Sequence, residues 1–242
     1  MKVIGRYFIF LHSLFIKREG FNTYMRLIID ECIKVGIDSI FIVVIVSTFI
    51  GAVTAVQTAY NLVSPLIPNY VISLIVRDMT LLELAPTITA IVFAGKVGSN
   101  IAGELGTMRI SEQIDALEVM GINSSSFLVL PKIIACILMY PLLVILAGFL
   151  AIFGGFIAAT LTGVMTPDEY VYGIRADFLE YNVAFALIKS VVFAYLISSI
   201  SAFTGYFTEG GALEVGRAST KAVTSSCIAI LSADYLLAQL LL

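Results

Sequence analysis

Residues 94–121 read AGKVGSNIAGELGTMRISEQIDALEVMG, and two unlike halves meet there without a spacer. In the first half, residues four apart share a helical face. This gives one row of Ala94, Gly98, Ala102 and Gly106 and, beside it, a second of Gly95, Ser99 and Gly103. Two adjoining rows of small side chains make a flat strip on which another helix backbone lies closely, which is how helices associate in lipid. The second half, TMRISEQIDALEVMG, puts Ile110, Ile114 and Leu117 on one face and Glu112, Gln113, Asp115 and Glu118 around the rest. With Ser111 as N-cap and Gly121 as a stop, this predicts a short amphipathic helix over about 107–120. An anionic leaflet repels an acidic helix, so it suits docking into a groove on a soluble partner; a solvated cap between two spans is the alternative. The missing spacer suggests that both halves move as one lever.

The surrounding chain fixes the setting. Of 242 residues, 60% are hydrophobic and only 13% charged, and the mean hydropathy is +1.02, which excludes an ordinary soluble domain and identifies an integral membrane protein. The net charge of −3 gives no reason to expect nucleic acid. Cys32, Cys136 and Cys227 lack the paired spacing of zinc or disulfide frameworks and read as small core residues, so no metal site is expected.

No charge falls within residues 39–76, 133–167 or 190–208. A bilayer core of about 30 Å takes about 20 residues of helix, and Pro65 and Pro68 break the first of these runs. The expected architecture is all-α, a single domain over 1–242. Five spans at about 37–60, 79–105, 133–161, 182–206 and 219–241 follow an interfacial region at 1–35, basic at both ends of its apolar run (Lys2, Arg6; Lys17, Arg18). GALEVGRA at 211–218 has Arg217 and Ala218 where a phosphate-binding loop needs Lys and Ser or Thr, and reads as a turn. Lysine and arginine concentrate before span one and around the connections between spans two and three and spans four and five. This places the N-terminus in the cytoplasm and the C-terminus outside.

Ionisable residues within spans are costly and mark candidate functional positions. Glu83, Lys189 and Asp234 fall at comparable depth in the outer halves of spans two, four and five, counting about 1.5 Å per residue. Lys189 is therefore placed to contact Glu83 or Asp234, either to fix helix register or to line a polar cavity. Lys96, nearer the cytoplasmic side, is expected to snorkel.

ELAPTITAIVFAGKVGSNIAGELGTMRISEQIDALEVMG at 83–121, followed by FLVLPKIIA at 127–135, resembles the signature block of the Mla-type permeases of ABC lipid transporters. FIGAVTAVQ at 49–57, LIKSVVFA at 187–194 and GGALEVGRASTKAV at 210–223 are similar to further family segments, so nearly the whole chain is covered. The resemblance implies a homodimer in the bacterial inner membrane, paired with a cytoplasmic ABC ATPase dimer that holds ATP and Mg, and with a periplasmic ring of MCE-type lipid-binding subunits. It implies no cofactor or catalytic residue on this chain, and a phospholipid as cargo. By the same resemblance, Arg109, Glu112, Gln113, Asp115, Leu117 and Glu118 belong to the coupling helix that enters the ATPase, and the outer ends of spans one, two and five border the lipid cavity. The family usually reads arginine, glutamate, leucine, glycine, proline where this chain has Leu82, Glu83, Leu84, Ala85 and Pro86, and arginine where it has Lys96. An ion- or proton-conducting protein using Glu83, Lys189 and Asp234 is the reading from another class, and a membrane scaffold is a third.

Overall fold

The computed structural model describes residues 2–14, 21–62 and 68–241, with side chains from 5, 23 and 68 onward in these segments. Lys17, Arg18 and Pro65, which figure in the expectations above, lie outside the described residues, as does the side chain of Lys2. The described chain is helical with no strand. Five helices are long and apolar enough to cross a membrane: Thr23–Asn61, Tyr70–Ile110, Ser124–Leu161, Glu180–Tyr206 and Ala212–Leu241, here spans one to five. Short helices occupy Lys2–Ser13, Gln113–Val119 and Pro167–Arg175.

Four spans begin well before their expected starts. Span one starts at Thr23 rather than near 37, span two at Tyr70 rather than 79, span three at Ser124 rather than 133, and span five at Ala212 rather than 219. The region 1–35 expected as interfacial is not one separate element: from Thr23 onward it is helically continuous with span one. GALEVGRA likewise lies mostly inside the helix of span five, not in a turn. In span two the helix runs through its first charges because those charges have partners. Arg77, only 2% exposed, donates to the carbonyls of Ile174 (2.8 Å) and Ala176 (2.6 Å) and pairs with Asp78 at 2.9 Å. It thereby ties the start of span two to the loop helix Pro167–Arg175.

Spans one and three pack most closely. A β-carbon on Gly51 would overlap the backbone of Ala151, and one on Gly154 the backbone of Thr48. The row Ala147, Ala151, Gly155 and Ala159 is therefore bundle packing, all four residues being buried. Across the bundle, a β-carbon on Gly205 of span four would lie 2.5 Å from the Ala102 carbonyl oxygen of span two. Most of span five's surface stays exposed. The N-terminal helix leans on the end of span four: Tyr7 Oη lies 2.7 Å from Ser199 Oγ, and Phe10 packs its ring against Phe203, Tyr206 and Phe207. Its opposite face leaves Phe8 and Ile9 exposed.

Candidate functional site

Span two carries both ends of the candidate site. Near its start the backbone widens into a π-helical stretch, Thr80–Ile88, with Pro86 inside it. Proline has no N–H to return to the carbonyl four residues back, and that carbonyl, on Leu82, accepts from Lys189 Nζ at 2.9 Å. Tyr140 Oη of span three donates to the Pro86 carbonyl at 2.6 Å, which holds the widened turn in place.

Lys189 is the centre of this end. It is fully shielded, and its ammonium meets Asp234 Oδ1 at 2.5 Å and Glu83 Oε1 at 3.0 Å. The ring of Phe185 lies 5.0 Å away, within range of a cation–π contact. Thr87 Oγ1 lies 3.3 Å from Glu83 Oε2 and 3.2 Å from Asp234 Oδ1. Thus spans two, four and five each supply one charge, and Lys189 contacts both acids rather than one. The Glu83 side chain remains 46% exposed, so a carboxylate supported by a buried lysine faces outward from the protomer. Leu82 takes part through its carbonyl alone.

At the other end, span two runs to Ile110 and then turns. Glu112 adopts a left-handed conformation at φ 60°, and the short helix begins only at Gln113. This corrects two expectations: residues 107–120 are not one helix continuous with the span, and Ser111 is not its N-cap. The Ser111 hydroxyl instead donates back to the Thr107 carbonyl at 2.8 Å, closing the preceding helix. The corner is braced by Arg109 on Asp115 at 2.6 Å. Gly121, at φ 80°, ends the short helix: its N–H bonds the Glu118 carbonyl and that of Ile122 bonds the Leu117 carbonyl, a Schellman closure.

The residues of the short helix divide between two jobs. Ile114 is fully buried and Leu117 half-buried. Glu118 is itself exposed, but its Oε1 reaches back to accept from Ser124 Oγ at 2.9 Å and Tyr206 Oη at 3.1 Å, so it anchors the helix to spans three and four. Glu112 and Gln113 stay exposed, as do Val119 and Met120 at 88% and 65%. The last two escaped the sequence reading because they follow the polar face rather than the apolar one.

The two small rows also part company. Ala94, Gly98, Ala102 and Gly106 are buried, with Gly98 against Ser201 and Ile197 and Gly106 against Val215. A β-carbon on Gly95 would meet nothing within 4 Å, Ser99 is half-buried, and a β-carbon on Gly103 would meet only Ser219. Ser99 and Gly103 of this second row open onto a cleft of about 820 Å³ lined also by Glu31, Lys34, Lys96 and Glu104. Lys96 reaches along it to the Asp38 carbonyl. Beside the cleft lies a charge cluster that sequence reasoning missed: Lys132, 3% exposed, pairs with Glu104 at 2.6 Å and Glu31 at 2.9 Å. The available signal was that all three sit at comparable depth near the same ends of spans one, two and three.

Among the described residues no group of histidine, cysteine or acidic side chains has metal-binding geometry, and the three cysteines are free. Five apolar spans, paired charges buried between them, and a short helix folded across one end of the bundle define a multi-pass membrane protein. The MlaE permease model matches residues 28–240, and the chain belongs to that family. A probable ABC transporter permease protein of Rickettsia bellii is 35% identical over 217 residues, covering 90% of this chain and 83% of the relative. The Arabidopsis thaliana chloroplast protein trigalactosyldiacylglycerol 1 is 33% identical over 225 residues, 89% of this chain and 61% of the relative. The Haemophilus influenzae intermembrane phospholipid transport system permease protein MlaE is 25% identical over 241 residues, 99% and 92% of the two chains.

Proposed function

We propose that this chain is the membrane-spanning subunit of an ATP-driven phospholipid transporter, working as a homodimer in the bacterial inner membrane. Its N-terminus faces the cytoplasm, its partner ATPase binds the short helix Gln113–Val119, and MCE-type lipid-binding subunits receive or deliver cargo on the periplasmic side. The observation that carries this reading is that span two bears Glu83 of the buried charge cluster near one end and the short helix at the other. A displacement of the helix by the ATPase thus reaches the cluster through a single packed element.

Two further features support it. The open row Gly95, Ser99 and Gly103 offers a backbone-close surface to a second copy. The part-exposed Glu83 carboxylate, backed by Lys189 and Thr87, offers a polar contact for a lipid headgroup beside the apolar outer spans. Within the cycle, closure of the ATPase pair presses the short helices, the rigid corner at Arg109 and Asp115 passes the movement to span two, and the headgroup contact at Glu83 is remade or lost. Hydrolysis takes place on the ATPase, and this chain contributes no catalytic group.

The test is purification of the tagged chain in mild detergent with mass spectrometry of bound proteins and lipids, alongside Glu112→Lys and Val119→Asp. An ABC ATPase and phospholipid are expected to accompany the parent chain, with the ATPase lost from both variants. Recovery of lipid transport and ATPase binding undiminished in both variants would overturn the coupling role. Ion currents through the purified chain without any ATPase would favour the conducting alternative.

A further inference from the structure

A second groove lies away from both ends just described, between the N-terminal helix, the end of span four and the first turns of span five. Its volume is about 470 Å³. Phe203 and Phe207 form its apolar wall, their rings 5.1 Å apart, while the hydroxyl residues Thr204 and Ser225 and the cations Arg6 and Lys221 line its rim. No acidic residue lines it. The Arg6 guanidinium lies 4.0 Å from the Phe207 ring centroid, so it is held at the groove mouth without a carboxylate partner among the described side chains. Lys221 is exposed and likewise has no ion-pair partner among them.

The groove sits at one membrane boundary, because span four ends at Tyr206 and the exposed Phe8 and Ile9 put the outer face of the N-terminal helix in lipid. Basic pockets between spanning helices at that depth match anionic headgroups. We infer that this groove holds an anionic phospholipid, its phosphate between Arg6 and Lys221 and an acyl chain along Phe203 and Phe207. Bound there, the lipid fastens the N-terminal helix to spans four and five. The site is separate from Glu83 and Lys189 and is independent of which lipid is carried or in which direction.

The chain contains no tryptophan, so Ile200→Trp, on the groove wall, gives a single local reporter. The full chain carrying it is reconstituted in mixed phosphatidylglycerol and phosphatidylcholine vesicles, with bromine on the acyl chains of one lipid class at a time. Stronger quenching by brominated phosphatidylglycerol at equal mole fraction is expected, with little preference at a Leu138→Trp control on the exposed face of span three. Arg6→Ala and Lys221→Ala should each weaken the preference roughly fivefold, and together roughly 30-fold, at about 1 kcal/mol per cation. Arg6→Lys should retain most of it, and Arg217→Gln, at an exposed cation outside the groove, should leave it unchanged. Equal quenching by both lipids in the parent, or a preference surviving in the double variant, overturns the inference. So does relief of quenching by soluble glycerol phosphate, which would mark a free-phosphate site. Absence of lipid transport by the parent chain with its ATPase, with this preference intact, would instead count against the proposed function alone.

Discussion

The ammonium of Lys189 and the carboxylate of Asp234 approach to 2.5 Å between spans four and five, with the lysine wholly shielded. Removing one partner of such a pair strands the remaining charges, whereas replacing the whole set with neutral groups of similar shape is often tolerated. Lys189→Ala is therefore expected to destabilise the chain by about 3–5 kcal/mol. The combination Lys189→Met, Asp234→Asn, Glu83→Gln should recover most of that. Thermal unfolding in detergent measures both, and a triple variant less stable than Lys189→Ala contradicts the account.

The glycines divide by what surrounds them. A side chain at Gly51 meets the Ala151 backbone, which has nowhere to go, so Gly51→Ala should cost about 1–3 kcal/mol. Gly95 has open space around it, and Gly95→Ala should change stability by less than about 0.5 kcal/mol. Under the homodimer proposal, Gly95→Leu leaves the fold intact and weakens self-association, which crosslinking in vesicles reports. An unchanged dimer population would move the interface elsewhere.

Glu118 and Val119 are neighbours with opposite expected effects. Glu118→Ala removes the acceptor of the Ser124 and Tyr206 hydroxyls and should loosen the short helix by about 1–3 kcal/mol. Faster amide exchange over residues 113–120 would register this. Val119→Asp lies on an exposed position, so exchange should stay as in the parent while ATPase binding falls.

At the Lys132 cluster, Lys132→Met leaves Glu31 and Glu104 with only the exposed Lys34, at 3.4 and 4.0 Å, as their shared cation. A loss of about 1–3 kcal/mol is expected. Glu104→Gln keeps an acceptor for the lysine and retains Glu31, so its cost should be clearly smaller. Comparable melting temperatures for the two variants would show that the cluster does not hold spans one, two and three together.

In the loop helix Pro167–Arg175, the Glu169 carboxylate accepts from the Thr166 N–H at 2.8 Å and its hydroxyl at 3.0 Å, and is held below the ordinary carboxylate range by these bonds. A carboxyl whose folded pKa is depressed adds stability above its unfolded pKa, and this is lost as pH falls through the lower folded value. NMR titration should place the Glu169 midpoint below the unfolded value. Thr166→Ala, which removes the hydroxyl but keeps the N–H, should move it part of the way back.

The five spans were legible because hydropathy over about 20 residues is a property of the chain itself. Their ends were not. Arg77 reads as a charge that should stop a helix, and only the carbonyls of Ile174 and Ala176, about 100 residues away, make it a buried anchor. The corner at Glu112 was equally hidden, since a left-handed non-glycine residue is set by what it joins rather than by local preference.

Sequence by itself determined that the chain lives in a membrane, that span two carries two rows of small residues, and that Glu83, Lys189 and Asp234 share one depth. These follow from hydropathy, the helical repeat and the rise per residue. Tertiary structure decided that Lys189 takes both acids and the Leu82 carbonyl, that one small row is buried while the other stays open, and that Glu118 bonds the hydroxyls of Ser124 and Tyr206. The physical reason is rotation and partnering. A helical sequence fixes which residues share a face, but only packing against the other spans chooses which face turns inward and which charges meet.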